Sequence, residues 1–94
     1  MLKRMHILAG GRVQGVGFRG TCMQYALLYH LTGNVMNLEN GDVEINVQGE
    51  EKELTAFIRA IQNEKRWIRV DRLAITEVTP LQDEKQFRIR GYFW

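Results

Sequence analysis

Cysteine is almost missing from this chain: among 94 residues there is one, Cys22. A lone thiol excludes an internal disulfide framework and any thiolate metal cluster held within a single chain. Cys22 falls on the apolar stripe of an expected helix, where packing is its ordinary role. Long apolar runs are missing too, and nothing approaches the roughly 20 residues that span a bilayer. Met1-Leu2-Lys3-Arg4-Met5-His6-Ile7 starts basic but has neither a long apolar segment nor a small-residue cleavage site. No signal peptide is therefore read, and a cytoplasmic location is expected. Charge of one sign is also scarce: 13 Lys and Arg against 11 Asp and Glu give a net +2. That balance implies no nucleic-acid partner by itself and suits an anionic ligand without demanding one. The two histidines, His6 and His30, stand far apart with no carboxylate or cysteine at ligand spacing. No metal site is expected from them, and His30 sits at a helix end, where a basic residue is favoured. Repeats, low-complexity segments and linkers are absent. What remains, 45% apolar and 26% charged residues, is the composition of one soluble globular domain over 1–94.

The apolar pattern divides that domain into alternating elements. Met5 to Ala9 reads as a first strand, followed by a helix from about Phe18 to Leu31 that Thr32-Gly33 ends. Phe18, Cys22, Tyr25, Ala26 and Tyr29 lie along one face of it. Val35–Leu38 and Asp42–Val47 flank Glu39-Asn40-Gly41, and Asn-Gly between two strand-like runs is a strong hairpin signal. Gly49-Glu50-Glu51 opens a second helix through about Glu64, with a stripe of Leu54, Phe57, Ile58 and Ile61. Its early glutamates and the late Lys65 and Arg66 suit the helix dipole. Arg69–Val78 reads as a strand, Pro80 and Gln82-Asp83-Glu84-Lys85 as a loop, and Phe87, Ile89 and Gly91 as a short last strand. This β-α-β-β-α-β order with an extra short C-terminal strand predicts the α+β class. Specifically, it predicts a ferredoxin-like two-layer α/β sandwich, an antiparallel sheet with two helices on one face.

Between the first strand and the first helix lies Gly11-Arg12-Val13-Gln14-Gly15-Val16-Gly17-Phe18-Arg19. Glycines let backbone N–H groups approach a ligand at angles other residues resist, and a helix start adds unpaired amides and a positive dipole end. Arg19 supplies a planar, permanently charged fork that pairs two phosphate oxygens at once. The loop is not a Walker loop, lacking the Gly-Lys-Ser/Thr ending, and no downstream ribose acid makes it a dinucleotide fingerprint.

The run GRVQGVGFR, with Gly33-Asn34-Val35-Met36-Asn37 placing Asn37 eighteen positions after Arg19, resembles the signature of the acylphosphatases. The order of elements extends that resemblance over essentially the whole chain. It implies a cofactor-free hydrolase that cleaves small acyl phosphates to a carboxylate and inorganic phosphate. By the same resemblance, Arg19 and Asn37 are the catalytic residues, Arg19 binding the phosphate and Asn37 orienting the attacking water. The chemistry agrees with those choices. A carboxylate whose conjugate acid has a pKa of about 4 leaves with little help from a general acid. Charge neutralisation and positioning therefore carry the reaction, through amides of Gly11, Arg12, Val13, Gln14, Gly15 and Val16 together with Arg19. Asn37 donates to and accepts from water without adding negative charge, whereas aspartate there would repel the substrate dianion. No metal and no cofactor are expected, the partner is a small-molecule acyl phosphate, and a monomer is expected, with neither nucleic acid nor a membrane involved.

Three stretches depart from the family pattern. Asn34 stands where an aromatic residue is frequent, Lys65-Arg66-Trp67-Ile68-Arg69 replaces a Gly- and Pro-containing turn, and Gly91-Tyr92-Phe93-Trp94 is unusually aromatic. The tail either covers its own core or forms a contact surface. Plain alternatives exist for the site residues as well: Arg19 pairing a carboxylate at a helix start, Asn37 bonding nearby backbone, Gln14 bracing the loop instead of touching substrate. A non-catalytic phosphate- or nucleic-acid-binding module is the competing function. Lys65, Arg66, Arg69 and Arg72 around Trp67 superficially resemble a basic patch, but no RNP-like run of aromatics accompanies them. A phosphate-binding domain within a larger assembly is a third reading, which the chain length disfavours.

Overall fold

Alternation in the sequence sets the faces of the central sheet. Ile7 and Ala9 in β1 (Leu2–Arg12), Val35 in β2 (Thr32–Asn37), and Val43, Ile45 and Val47 in β3 (Val43–Glu50) are all buried. Their sequence neighbours turn to the opposite face, as the strand period of two requires. Onto the apolar face α1 (Phe18–Leu28) lays Phe18, Cys22 and Ala26, and α2 (Glu51–Gln62) lays Leu54, Phe57 and Ile61. One core between two layers results. β4 (Arg69–Val78) and β5 (Phe87–Ile89) complete the sheet, whose order is β4-β1-β3-β2-β5. The structure is a computed structural model and describes residues 1–64 and 67–91. The expectations placed on Lys65, Arg66 and the tail Tyr92-Phe93-Trp94 lie outside these residues.

Several element ends differ from the sequence pattern for local reasons. α1 stops three residues before Leu31: the N–H of Leu31 bonds the Ala26 carbonyl at 2.8 Å and that of His30 bonds Leu27 at 3.3 Å. This is a Schellman closure in which His30, at φ 60°, stands where glycine is usual. With no glycine to mark the stop, the sequence does not signal it. β2 then begins at Thr32, and Gly49 and Glu50 extend β3 instead of opening α2. β1 is longer than Met5–Ala9 because it is paired on both sides, with β3 and with β4.

The expectation of an antiparallel sheet needs one correction. β1, β2, β3 and β4 pair antiparallel, but β5 runs parallel to β2, with Gly33 opposite Phe87 and Val35 opposite Ile89, so the sheet is mixed. The cause is the path of the chain. β4 and β5 occupy opposite edges, so residues 79–86 cross the face the helices leave uncovered, and the chain re-enters along the far edge in the direction of β2.

That crossing is pinned by polar groups. Arg4, only 6% exposed, donates to Glu84 Oε1 at 2.6 Å and to Glu84 Oε2 at 3.3 Å, and Thr32 Oγ1 donates to the same carboxylate at 2.9 Å. Gln48, 4% exposed, accepts from the Leu81 N–H and donates to its carbonyl, both at 2.8 Å. Removing one partner of a buried ion pair strands the other charge. Glu84→Ala is therefore expected to cost about 3–5 kcal/mol and to lower Tm by ~10 °C or more, read by thermal melting. The double variant Arg4→Met with Glu84→Leu, which leaves no charge behind, is expected to lose much less.

Candidate active site

The loop between β1 and α1 turns on two glycines in the left-handed region, Gly15 at φ 74° and Gly17 at φ 82°. A Cβ at either would meet nothing within 4 Å, so backbone angle rather than crowding calls for glycine here. Gly17 caps α1 without a side-chain hydrogen bond, and no acidic residue stands in the first turn. α2 by contrast begins with Glu51 and Glu53. The amides of Phe18, Arg19 and Gly20, which have no partner inside the helix, thus present an uncompensated positive dipole end.

A cleft of about 270 Å³ opens at this end, lined by Val13, Gly15, Gly17, Phe18, Arg19, Gly20, Asn37 and Ile89. β2 delivers Asn37 as its last residue, opposite Val43 of β3. β5 delivers Ile89 through its parallel pairing with Val35. The half-buried Arg19 donates a long hydrogen bond, 3.4 Å, to the carbonyl of Arg90 just past β5. Among the described residues no carboxylate lies within ion-pair distance of its guanidinium. Arg19 and Asn37, distant in sequence, therefore face one small space floored by backbone of the glycine loop. Ile89 carries no motif, and only the crossing of residues 79–86 brings it here.

The remaining predicted residues are placed around the cleft. Gln14 directs its side-chain amide away from the loop: Nε2 donates to the carbonyls of Leu38 at 2.7 Å and Asp42 at 2.8 Å. With Asn37, Leu38 and Glu39 it lines a neighbouring cleft. Gly11 and Arg12 are still in the ladder, opposite Val70 and Arg69 of β4 and just past a register shift at Gly10/Gly11. Arg12 lines a separate groove with Trp67 and Arg69. Val16 packs half-buried against the core.

Other candidate groups are already engaged. Burial pushes the Cys22 thiol well above its ordinary range, which keeps it protonated and inert. The hydrogen bond to Glu64, 2.8 Å long, raises the Tyr25 hydroxyl, with burial adding to the effect. His6 meets Glu44 at 2.9 Å, and among the described residues no three His, Cys, Asp or Glu side chains cluster. Asn34 accepts from Asn46 at 3.1 Å across the β2–β3 pair, so a polar cross-strand contact occupies the position where an aromatic residue is frequent. Of the basic residues around Trp67, Arg69 pairs with Asp71 and Arg72 with Asp42.

A family model described as Acylphosphatase matches residues 5–89. The chain belongs to the acylphosphatase family. It is 44% identical over 88 residues to an acylphosphatase of Geobacillus kaustophilus, covering 94% of each chain. It also superposes on the crystal structure of acylphosphatase from Bacillus subtilis with a TM-score of 0.90 at 36% identity, covering 97% of this chain and 100% of that one. Full-length HypF matches with a TM-score of 0.84 at 34% identity; there 97% of this chain corresponds to 12% of HypF. The two-layer ferredoxin-like fold and the family, a hydrolase family acting on acid anhydrides, thus agree with the resemblance carried by the glycine loop. No helix among the described residues is long and apolar enough to cross a membrane.

Proposed function

We propose that this chain hydrolyses the carboxyl–phosphate bond of small acyl phosphates, with Arg19 anchoring the phosphate and Asn37 holding the attacking water. The observation that carries this reading is the convergence of Arg19, Asn37 and the Gly15–Gly17 turn on one cleft of about 270 Å³. Loop amides and the first-turn amides of α1 bind two or three phosphoryl oxygens, and the Arg19 fork neutralises the charge that spreads over them. The water oxygen held by Asn37 attacks phosphorus in line. The bond from phosphorus to the acyl oxygen breaks, its electron pair leaves on the carboxylate, and the water proton passes to a phosphoryl oxygen or to solvent. Because carboxylate is a good leaving group, no further acid and no cofactor is assigned. The substrate is a small molecule, and we assign the chain action as a monomer without a nucleic-acid partner; among the described residues Arg69 pairs with Asp71 and Arg72 with Asp42. A cytoplasmic setting accompanies this reading.

The experiment is hydrolysis of benzoyl phosphate by the purified chain with chelator present throughout. Turnover is expected. Its absence in protein that melts cooperatively overturns the reading in favour of a phosphate-binding module.

A further inference from the structure

The phosphate loop and the strand that carries Asn37 are separate elements, and something must hold their spacing. The two-donor bond of Gln14 joins them. Its Nε2 uses one N–H on the carbonyl of Leu38, the residue directly after Asn37, and the other on the carbonyl of Asp42 across the hairpin. Those two carbonyls are the ends of the turn itself: Leu38 N–H donates to Asp42 at 2.9 Å and Gly41 N–H donates to Leu38 at 3.2 Å. Asp42 is tied from the far side as well, its carboxylate meeting Arg72 of β4 at 3.3 Å. The hairpin base is therefore gripped from two directions, by Gln14 from the phosphate loop and by Arg72 from β4.

We propose that Gln14 is a positioning residue that fixes Asn37 relative to the bound phosphate by clamping the loop to the Leu38 and Asp42 carbonyls. This rests on the acyl phosphate reading above and assigns Gln14 a task other than touching substrate. An approach of water to phosphorus tolerates little error, and a misplacement near 1 Å costs on the order of a hundred-fold in rate. The phosphate itself is held by loop amides and Arg19, which Gln14 does not supply with its side chain. Loss of the clamp thus changes turnover and leaves phosphate affinity alone.

Gln14→Met keeps the length of the side chain and removes both donors. Gln14→Asn keeps the amide and shortens its reach by one methylene. Both carbonyls retain a backbone partner in either variant, so folding should survive, and thermal melts verify it. With benzoyl phosphate as substrate and inorganic phosphate as competitive inhibitor, kcat is expected to fall roughly ten- to a hundred-fold, with the inhibition constant for phosphate within about two-fold of wild type. Wild-type kcat in either variant overturns the clamp. A parallel loss of kcat and phosphate affinity also overturns it, because Gln14 would then shape the phosphate loop and not the position of Asn37. Failure of the wild-type chain to turn over benzoyl phosphate would instead remove the underlying functional reading, so the two failures are distinguishable.

Discussion

Arg19→Ala is expected to lose phosphate binding and turnover together. Among the described residues the guanidinium is the one charged side chain lining the cleft, and the first turn of α1 offers only partial charges beside it. An arginine that meets transition-state charge in phosphoryl transfer is worth roughly 10³- to 10⁵-fold, and kcat/KM should fall within that range. Inorganic phosphate should weaken as an inhibitor at the same time, since in the proposed mechanism the fork binds the same oxygens before and during reaction. Arg19→Lys is expected to restore part of the binding and less of the rate, because an ammonium is a point charge without the bidentate geometry. Folding should be nearly unaffected: Arg19 is half-buried and, among the described residues, its side chain makes one long hydrogen bond, to Arg90. A melting curve beside steady-state kinetics checks both halves of the statement. If Arg19→Ala kept wild-type phosphate affinity, the anchor would have to be sought in the amides alone.

Asn37→Ala should separate what Arg19→Ala couples. Asn37, the last residue of β2, lines the cleft together with the glycine loop proposed to hold phosphate, and its side chain carries no charge. In the proposed mechanism, removing it takes away the groups that orient water and leaves the anion cradle intact. The expected result is a fall in kcat of roughly 10²- to 10³-fold, the scale of one well-placed polar group acting in the transition state, with the inhibition constant for phosphate changed by no more than about three-fold. Steady-state kinetics with phosphate inhibition reads both numbers. Normal turnover in Asn37→Ala would refute the water-holding role, and loss of phosphate affinity would move Asn37 into the anchor.

Much of this protein follows from its sequence because the deciding interactions are local. Alternation of Val43, Ile45 and Val47 dictates which face of β3 is buried, and the stripe of Leu54, Phe57 and Ile61 dictates the same for α2. Asn40-Gly41 makes the hairpin because Asn40 Oδ1 accepts from the Asp42 N–H at 2.9 Å and Gly41 takes φ 95°. Gly15 and Gly17 mark the loop because only left-handed angles close it. Where local chemistry departs from the usual residue, the pattern misleads: His30 occupies the place of a terminating glycine, and the end of α1 is misread by three residues.

Interactions between distant residues were decided only in three dimensions. The parallel placement of β5 depends on a chain path across the open face, held by Arg4 and Glu84, which are 80 residues apart. Neither residue belongs to a motif, and the placement of Ile89 in the cleft follows from that path. Gln14 likewise shows its bonds to Leu38 and Asp42 only once the loop and hairpin meet. The sequence by itself determined the layers, the glycine loop and the family, since periodicity, backbone preference and a contiguous motif act over a few residues. The tertiary structure decided which of the candidate residues share a cleft and which distant segments bond to one another, because hydrogen bonds and ion pairs between distant segments depend on where the whole chain runs.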